Sequence, residues 1–272
     1  MMGGHHAATG AAAWVAVSSG APYTLGLYEV SPLGVVAGSI VCAGAALLPD
    51  ADHHNATIAH SLPPVSNVIC SGVGAVSGGH RHGTHSLVGI AAAVLIAFGA
   101  GLLTWESPVG ELAVGAGVFS LLLVAFAAKA LKLTRGGGKL GPWLLAAALS
   151  AFIMFAAPSE FTWLPVAVGL GAAIHIAGDM LTTGGVPLLW PWVPKPPKAW
   201  AATPVLNRCW QPNGYMGVPV LGNAGSMREW VFLIPVTLYA VYGVVSAIAS
   251  GVGMADGVVA EAITRLIEGR PA

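Results

Sequence analysis

Long apolar runs separated by short polar breaks fill most of the chain. A helix that crosses a bilayer takes about 20 mostly apolar residues, within a range of about 17–25. On that measure the pattern predicts helices over 8–21, 32–48, 86–104, 112–131, 141–157, 163–181 and 229–250. The first is short and carries Ser18 and Ser19, which suits a half-buried or interfacial segment. Trp105-Glu106-Ser107-Pro108 ends the third. Lys129, Lys132, Arg135 and Lys139 surround the turn Gly136-Gly137-Gly138, and Pro158-Ser159-Glu160 divides the fifth from the sixth. Trp105, Trp143, Trp163 and Trp230 fall at predicted span ends, where an aromatic belt places them.

Residues 184–228 break the pattern. Pro187, Pro191, Pro194, Pro196, Pro197, Pro204, Pro212 and Pro219 exclude a long helix there. Trp190, Trp192, Trp200 and Trp210 alternate with Lys195, Lys198 and Arg208, a composition suited to the lipid headgroup layer. Beyond the last span, Val258, Val259, Ala262, Ile263, Leu266 and Ile267 recur at helical spacing, which predicts a short surface helix over 254–268. The expected fold is all-α: a polytopic transmembrane helical bundle of about six or seven spans with a Pro/Trp-rich interfacial loop. Its divisions are 1–192, 193–228 and 229–272.

Composition settles the class. The chain is 56% hydrophobic and 8% charged, with mean hydropathy +0.76, whereas soluble domains carry about 25% charged residues. An integral membrane protein follows. Net charge is zero, so no nucleic-acid partner is expected. Cys42, Cys70 and Cys209 are scattered and form neither a disulfide frame nor a zinc knuckle. With no Lys or Arg ahead of the first apolar run, a cleaved signal peptide is not expected.

Charge sets the orientation. The positive-inside rule places Lys129, Lys132, Arg135 and Lys139 in the cytoplasm. Counting outward from them, 49–85 and 182–228 are cytoplasmic, while 105–111 and 158–162 are outside. Asp50 and Asp52 then end the second span, His85 begins the third and Asp179 ends the sixth, all on the cytoplasmic side. The N-terminal His5 and His6 fall there too.

Those polar residues are the candidate chemistry. His175 and Asp179 are four apart on an apolar helix, hence on one face with Cβ atoms about 5–6 Å apart. Such a pair so deep in apolar sequence is costly unless it binds something; the alternative is an interhelical hydrogen bond. Asp50 and Asp52 suit either a metal or a polar helix end. His80, His82 and His85 with Arg81 lie in a Gly-rich turn, suited to a metal or to a solvated loop, with Thr84 placed to cap the following helix. His53, His54 and His60 read as solvent-facing, with metal ligation by His53 as the alternative. Imidazole and carboxylate donors together suit Zn, Mn or Fe.

The ordered motifs Leu47-Leu48-Pro49-Asp50-Ala51-Asp52-His53, Gly79-His80-Arg81 with Thr84-His85-Ser86-Leu87, His175 with Asp179-Met180-Leu181-Thr182, and Gly185-Val186-Pro187-Leu188-Leu189-Trp190-Pro191 resemble the LexA-regulated, membrane-bound metal-dependent hydrolase family. Gly4-His5 resembles its opening Gly-His. The resemblance covers about 1–192. That family is in turn similar to the zinc-dependent phospholipase C and P1 nuclease superfamily. The resemblance implies metal ligation by His5, Asp50, His85, His175 and Asp179, with His80 and Asp52 as further ligands or supporting groups. Either His5 or His6 fits the N-terminal position. Two departures stand out: His82 where the family has Gly after His-Arg, and Gly83 where a bulky residue is common.

The activity so implied is hydrolysis of a phosphoester in a lipid or other amphiphile, at a site of two or three divalent ions, zinc foremost, facing the cytoplasm. Asp50 is expected to bridge ions, Asp52 to support a ligand or act as general base, and Arg81 to hold phosphoryl oxygens. Expected partners are membrane lipids and a small-molecule or lipid phosphoester. The competing class is a transporter or channel that uses the His/Asp cluster for ions or protons. Transporter sites lie near the bilayer midplane, often between repeated halves, whereas this cluster lies at one end and no repeat is evident. A third reading is a structural protein that binds metal only for stability.

Overall fold

A computed structural model describes residues 1–267 apart from 20, 22, 54, 55, 109, 135, 139 and 158–161. His54, Arg135, Lys139, the Pro158-Ser159-Glu160 break and the end of the tail therefore lie outside the described residues. The chain is mostly helical: α1 (Gly3–Val17), α2 (Pro32–Ala45), α3 (Val65–Ser77), α4 (Leu87–Gly101), α5 (Val114–Ala130), α6 (Gly141–Ala156), α7 (Trp163–Met180), α8 (Lys198–Ala201), α9 (Leu206–Cys209) and α10 (Met227–Ile267). Strands β1 (Trp105–Ser107) and β2 (Gly110–Leu112) form an antiparallel hairpin between α4 and α5, pairing Glu106 with Glu111.

Among the described residues, three stretches are long and apolar enough to cross a membrane: Pro32–Asp52, Trp163–Met180 and Met227–Gly253. The other predicted spans are helices too, but shorter. α1, α4, α5 and α6 have 15, 15, 17 and 16 residues. At 1.5 Å per residue they reach about 22–26 Å, against a hydrocarbon core of about 30 Å. Helix length among the described residues therefore supports three spans and does not by itself carry the count to six or seven.

Small residues hold the bundle together. In lipid, helices associate by close packing and not by escape from water, and glycine lets their backbones approach. A Cβ at Gly10 of α1 would lie 2.5 Å from the carbonyl oxygen of Cys42 in α2, and one at Gly171 of α7 would lie 2.6 Å from the same atom. Helices α1 and α7 thus clasp α2 at one level. His6 stands one turn before Gly10 and His175 one turn after Gly171. Because α1 and α7 run in opposite directions, both imidazoles come out at the same end of the bundle.

Four expectations need correction. Residues 49–85, where no helix is predicted, hold one: after short 3₁₀ turns at Pro49–Asp52 and Thr57–His60 they form α3. Gly74 brings α3 to the backbone of Asp52, where an added Cβ would lie 2.6 Å from its carbonyl oxygen. Thr84 does not cap α4. Ser86 does, its Oγ accepting from Gly89 N–H at 3.2 Å, because Thr84 donates to Asp52 instead. Trp163 begins α7 but is buried in the core, so it faces no headgroups. The tail expected as a separate helix continues α10 without a break.

Residues 181–226 contain no helix longer than α8 and α9, as the prolines require. The segment is tied down by bridges from Thr182 to Gly222 and from Val186 to Met216. Leu188 carbonyl accepts from Leu87 N–H at 3.0 Å, so the segment covers the end of the bundle where α4 begins.

Candidate metal centre

Four side chains from three separate stretches meet at that end. His85 Nε2 and His175 Nε2 are 3.3 Å apart. Asp50 Oδ1 lies 3.6 Å from the first and 3.7 Å from the second, and Asp179 Oδ2 lies 3.8 Å and 3.7 Å from them. His85, His175 and Asp179 are buried, whereas the Asp50 side chain keeps 27% of its exposure and marks the open side.

Both imidazoles are held by the nitrogen that faces away from this point. His175 Nδ1–H donates to the carbonyl of Ala46 at 2.7 Å. A carbonyl only accepts, so the proton is on Nδ1 and Nε2 carries the lone pair. His85 Nδ1 faces Asp52 Oδ2 at 3.4 Å and Thr84 Oγ1 at 3.1 Å. This is the arrangement that orients metal-binding histidines: the far nitrogen on a carbonyl or carboxylate, the near one free to ligate. Burial works against the charged form of His85, but the hydrogen bonds and charges of Asp50 and Asp52 outweigh it and push the group up to about 9.

Asp52 sits one layer back. It is buried and accepts from His80 Nδ1–H at 2.9 Å, Arg81 N–H at 2.9 Å and Thr84 Oγ1–H at 2.6 Å. The turn 79–85 is thus folded around one carboxylate, with Arg81 at φ +58°. The Arg81 guanidinium reaches Asp179 Oδ2 at 3.2 Å and the Gly185 carbonyl at 3.4 Å. Tyr215 Oη donates to the Arg81 carbonyl at 3.0 Å, linking the covering segment to the centre.

Asp179 divides its two oxygens. Oδ2 faces His85, His175 and Arg81, while Oδ1 faces His6 Nε2 at 3.2 Å and also accepts from the Met1 amine. His6 stacks on His175 with ring centroids 3.7 Å apart. Among the described residues, two groups therefore have donor atoms close enough for an ion: Asp50, His85 and His175, and His6, His175 and Asp179.

Of the eight residues singled out in the sequence, Asp50, His85, His175 and Asp179 come together, with Asp52 and Arg81 in contact behind them. His80 is more exposed and reaches Asp52, not the central point. His5 points elsewhere: its Nδ1 pairs with Glu229, against the edge of Trp230. His5 and His6 are one residue apart, about 100° around the helix, and the clasp of α1 on α2 turns His6 inward. Glu229 is a residue that sequence reasoning passed over. Buried at the start of α10, it also accepts from Met2 N–H at 2.8 Å and Gly225 N–H at 2.7 Å. A lone carboxylate entering an apolar run was the available signal. His82 Nδ1–H donates to the His80 carbonyl at 2.9 Å, and His53 lies edge-on to His80.

A zinc–donor bond is about 2.0–2.1 Å, which spaces tetrahedral donors about 3.3–3.4 Å apart. The observed separations of 3.3–3.8 Å fit that requirement with small adjustment. The donor set, two imidazoles and two carboxylates, fits a divalent ion once His85 gives up its proton.

A model of the YdjM inner membrane protein family matches residues 1–131 and 140–250. No curated protein and no solved structure matches the chain. The match covers nearly the whole chain, so the protein belongs to the YdjM inner membrane protein family, the LexA-regulated family that its motifs resemble. Nothing in these comparisons carries the further likeness to phospholipase C and P1 nuclease.

Proposed function

We propose that this inner membrane protein is a metal-dependent hydrolase acting on a phosphoester of a lipid or other amphiphile. One observation carries the reading: two buried imidazoles present Nε2 atoms to each other at 3.3 Å while their Nδ1 atoms are committed elsewhere. Two ring nitrogens so placed share either a proton or a metal ion, and two carboxylates at the same point supply the countercharge of a divalent ion.

Asp50, His85, His175 and Asp179 would hold the first ion, zinc by donor type. His6 and Asp179 bound a second position beside it. Asp179, with an oxygen toward each, is a better bridging group than Asp50. A bound divalent metal supplies Lewis acidity: it lowers the pKa of a water toward about 7 and polarises a phosphoryl oxygen.

The remaining residues have positional roles. Asp52 accepts from three donors and faces His85, which suits it to fixing the imidazole more than to moving a proton. Arg81 presents a guanidinium at the mouth, about a quarter exposed, where it would orient an anionic group. Lys129 lies in the last turn of α5, whose end meets α1 at Gly4, and Lys195, Lys198 and Arg208 lie in the covering segment. Basic residues on this end support a cytoplasmic-facing site.

The test is phosphate release from long-chain phosphatidic acid by detergent-purified protein, with and without a chelator. Activity lost with the chelator and restored by zinc supports the proposal. Tightly held metal without turnover on any phosphomonoester or phosphodiester would move the reading to transport or to structural metal.

A further inference from the structure

An apolar groove of about 800 Å³ runs along the outside of the bundle, with one end beside the segments that carry Asp50 and His85. Its walls are one face of α3, with Ile69, Gly72 and Val76, and one face of α4, with Val88, Ala92 and Ile96; α5 forms part of the floor. The α4 residues are spaced four apart, so they line about 12 Å of the helix. The polar wall residues, Ser77 and Thr84, are both at one end. At that end the groove is walled by Pro49 and Ala51, which flank Asp50, and by Gly83 and Thr84, which precede His85. Trp190 closes it there, its ring 3.2 Å from where a Cβ on Gly83 would sit.

The groove is therefore polar only at the end beside the turns that carry Asp50 and His85, and hydrocarbon-lined beyond. Val76, Val88 and Ile96 stay largely exposed, as residues that face lipid do. A volume of 800 Å³ is within the range that encloses a small amphiphile. We infer that the groove between α3 and α4 binds one acyl chain of a membrane lipid whose headgroup rests at Asp50 and His85. The headgroup half of this statement rests on the hydrolase reading; the chain half rests on the groove alone.

Gly72 gives a clean probe. An added Cβ there meets nothing within 4 Å and Gly72 lines the groove, so Gly72→Phe starts its side chain in open space at the groove wall. The protein is reconstituted in phosphatidylethanolamine vesicles containing phosphatidic acid with a mid-chain diazirine. Photoadducts are then mapped by mass spectrometry, and zinc content is measured on the same samples. Adducts should concentrate on Ile69, Val76, Val88 and Ile96 over the lipid-facing Val241 and Val245 of α10. Gly72→Phe should lower the groove adducts about tenfold, the loss of roughly two methylenes of burial, and leave those on α10 unchanged. Adducts spread evenly over all apolar faces and indifferent to Gly72→Phe would overturn the inference. Groove labelling that persists in a protein holding no metal would sink the hydrolase reading and leave the groove assignment standing.

Discussion

His85 Nε2 and His175 Nε2 face each other across 3.3 Å at the buried end of the bundle. The two residues are ninety apart in sequence, and each is held in place from its far side. His175 is anchored on the Ala46 carbonyl and His85 on Asp52 and Thr84. Such a contact holds either a proton, as an Nε2–H···Nε2 hydrogen bond, or a metal ion, and the choice between them decides what the protein is for.

Asp52→Asn tests whether the carboxylate behind His85 serves the metal. The substitution keeps the shape but takes the charge from the acceptor of His80, Arg81 and Thr84. Zinc affinity should fall about 10–100-fold, the usual effect of losing a partner behind a ligating histidine. A competition titration with a chromophoric chelator reads it, and unchanged affinity would remove Asp52 from the site.

The pH dependence follows from His85. With its pKa pushed from 6.5 up to about 9, the metal-free protein holds a proton there at neutral pH. The stability this gives the metal-free form is complete below about pH 6.5 and is lost as pH rises through about 9. A metal must displace that proton, so zinc affinity should rise about tenfold per pH unit between 7 and 9. Calorimetry in buffers of different ionisation enthalpy counts the released proton. No release at pH 7 would contradict this account of His85.

Gly171 makes a prediction at a distance from any donor atom. An added Cβ would meet Cys42 O, Ala45 Cβ and Ala46 N at 2.6–2.8 Å. Gly171→Val should push α7 off α2, cost about 1–3 kcal/mol in overpacking, and lower zinc content while every candidate ligand remains. Gly99→Val is the control, since nothing lies within 4 Å of its added Cβ. Thermal unfolding with metal analysis separates them, and equal behaviour of the two variants would refute the clasp.

The sequence made some of this legible for simple physical reasons. Long apolar runs locate α2, α4, α5, α6, α7 and the start of α10, and alternating helix direction brings Asp50, His85 and Asp179 to one end. Helix α3 escaped because Ser66, Asn67, Ser71 and several glycines dilute a stretch too short to span. The inward turn of His6, not His5, depends on where Gly10 meets Cys42, which no single-helix pattern contains. Thr84 reads as a cap until Asp52 is seen to need its hydroxyl. The groove joins faces of α3 and α4 that only tertiary structure sets side by side.

The most direct measurement is elemental analysis of detergent-purified wild type beside His85→Ala and His175→Ala, prepared without chelator. The account predicts at least one equivalent of zinc in wild type and its loss in both variants, with the helical fold retained by circular dichroism. Wild type free of bound metal, or either variant retaining the full complement, would contradict it and leave the proton as the cation between the two rings.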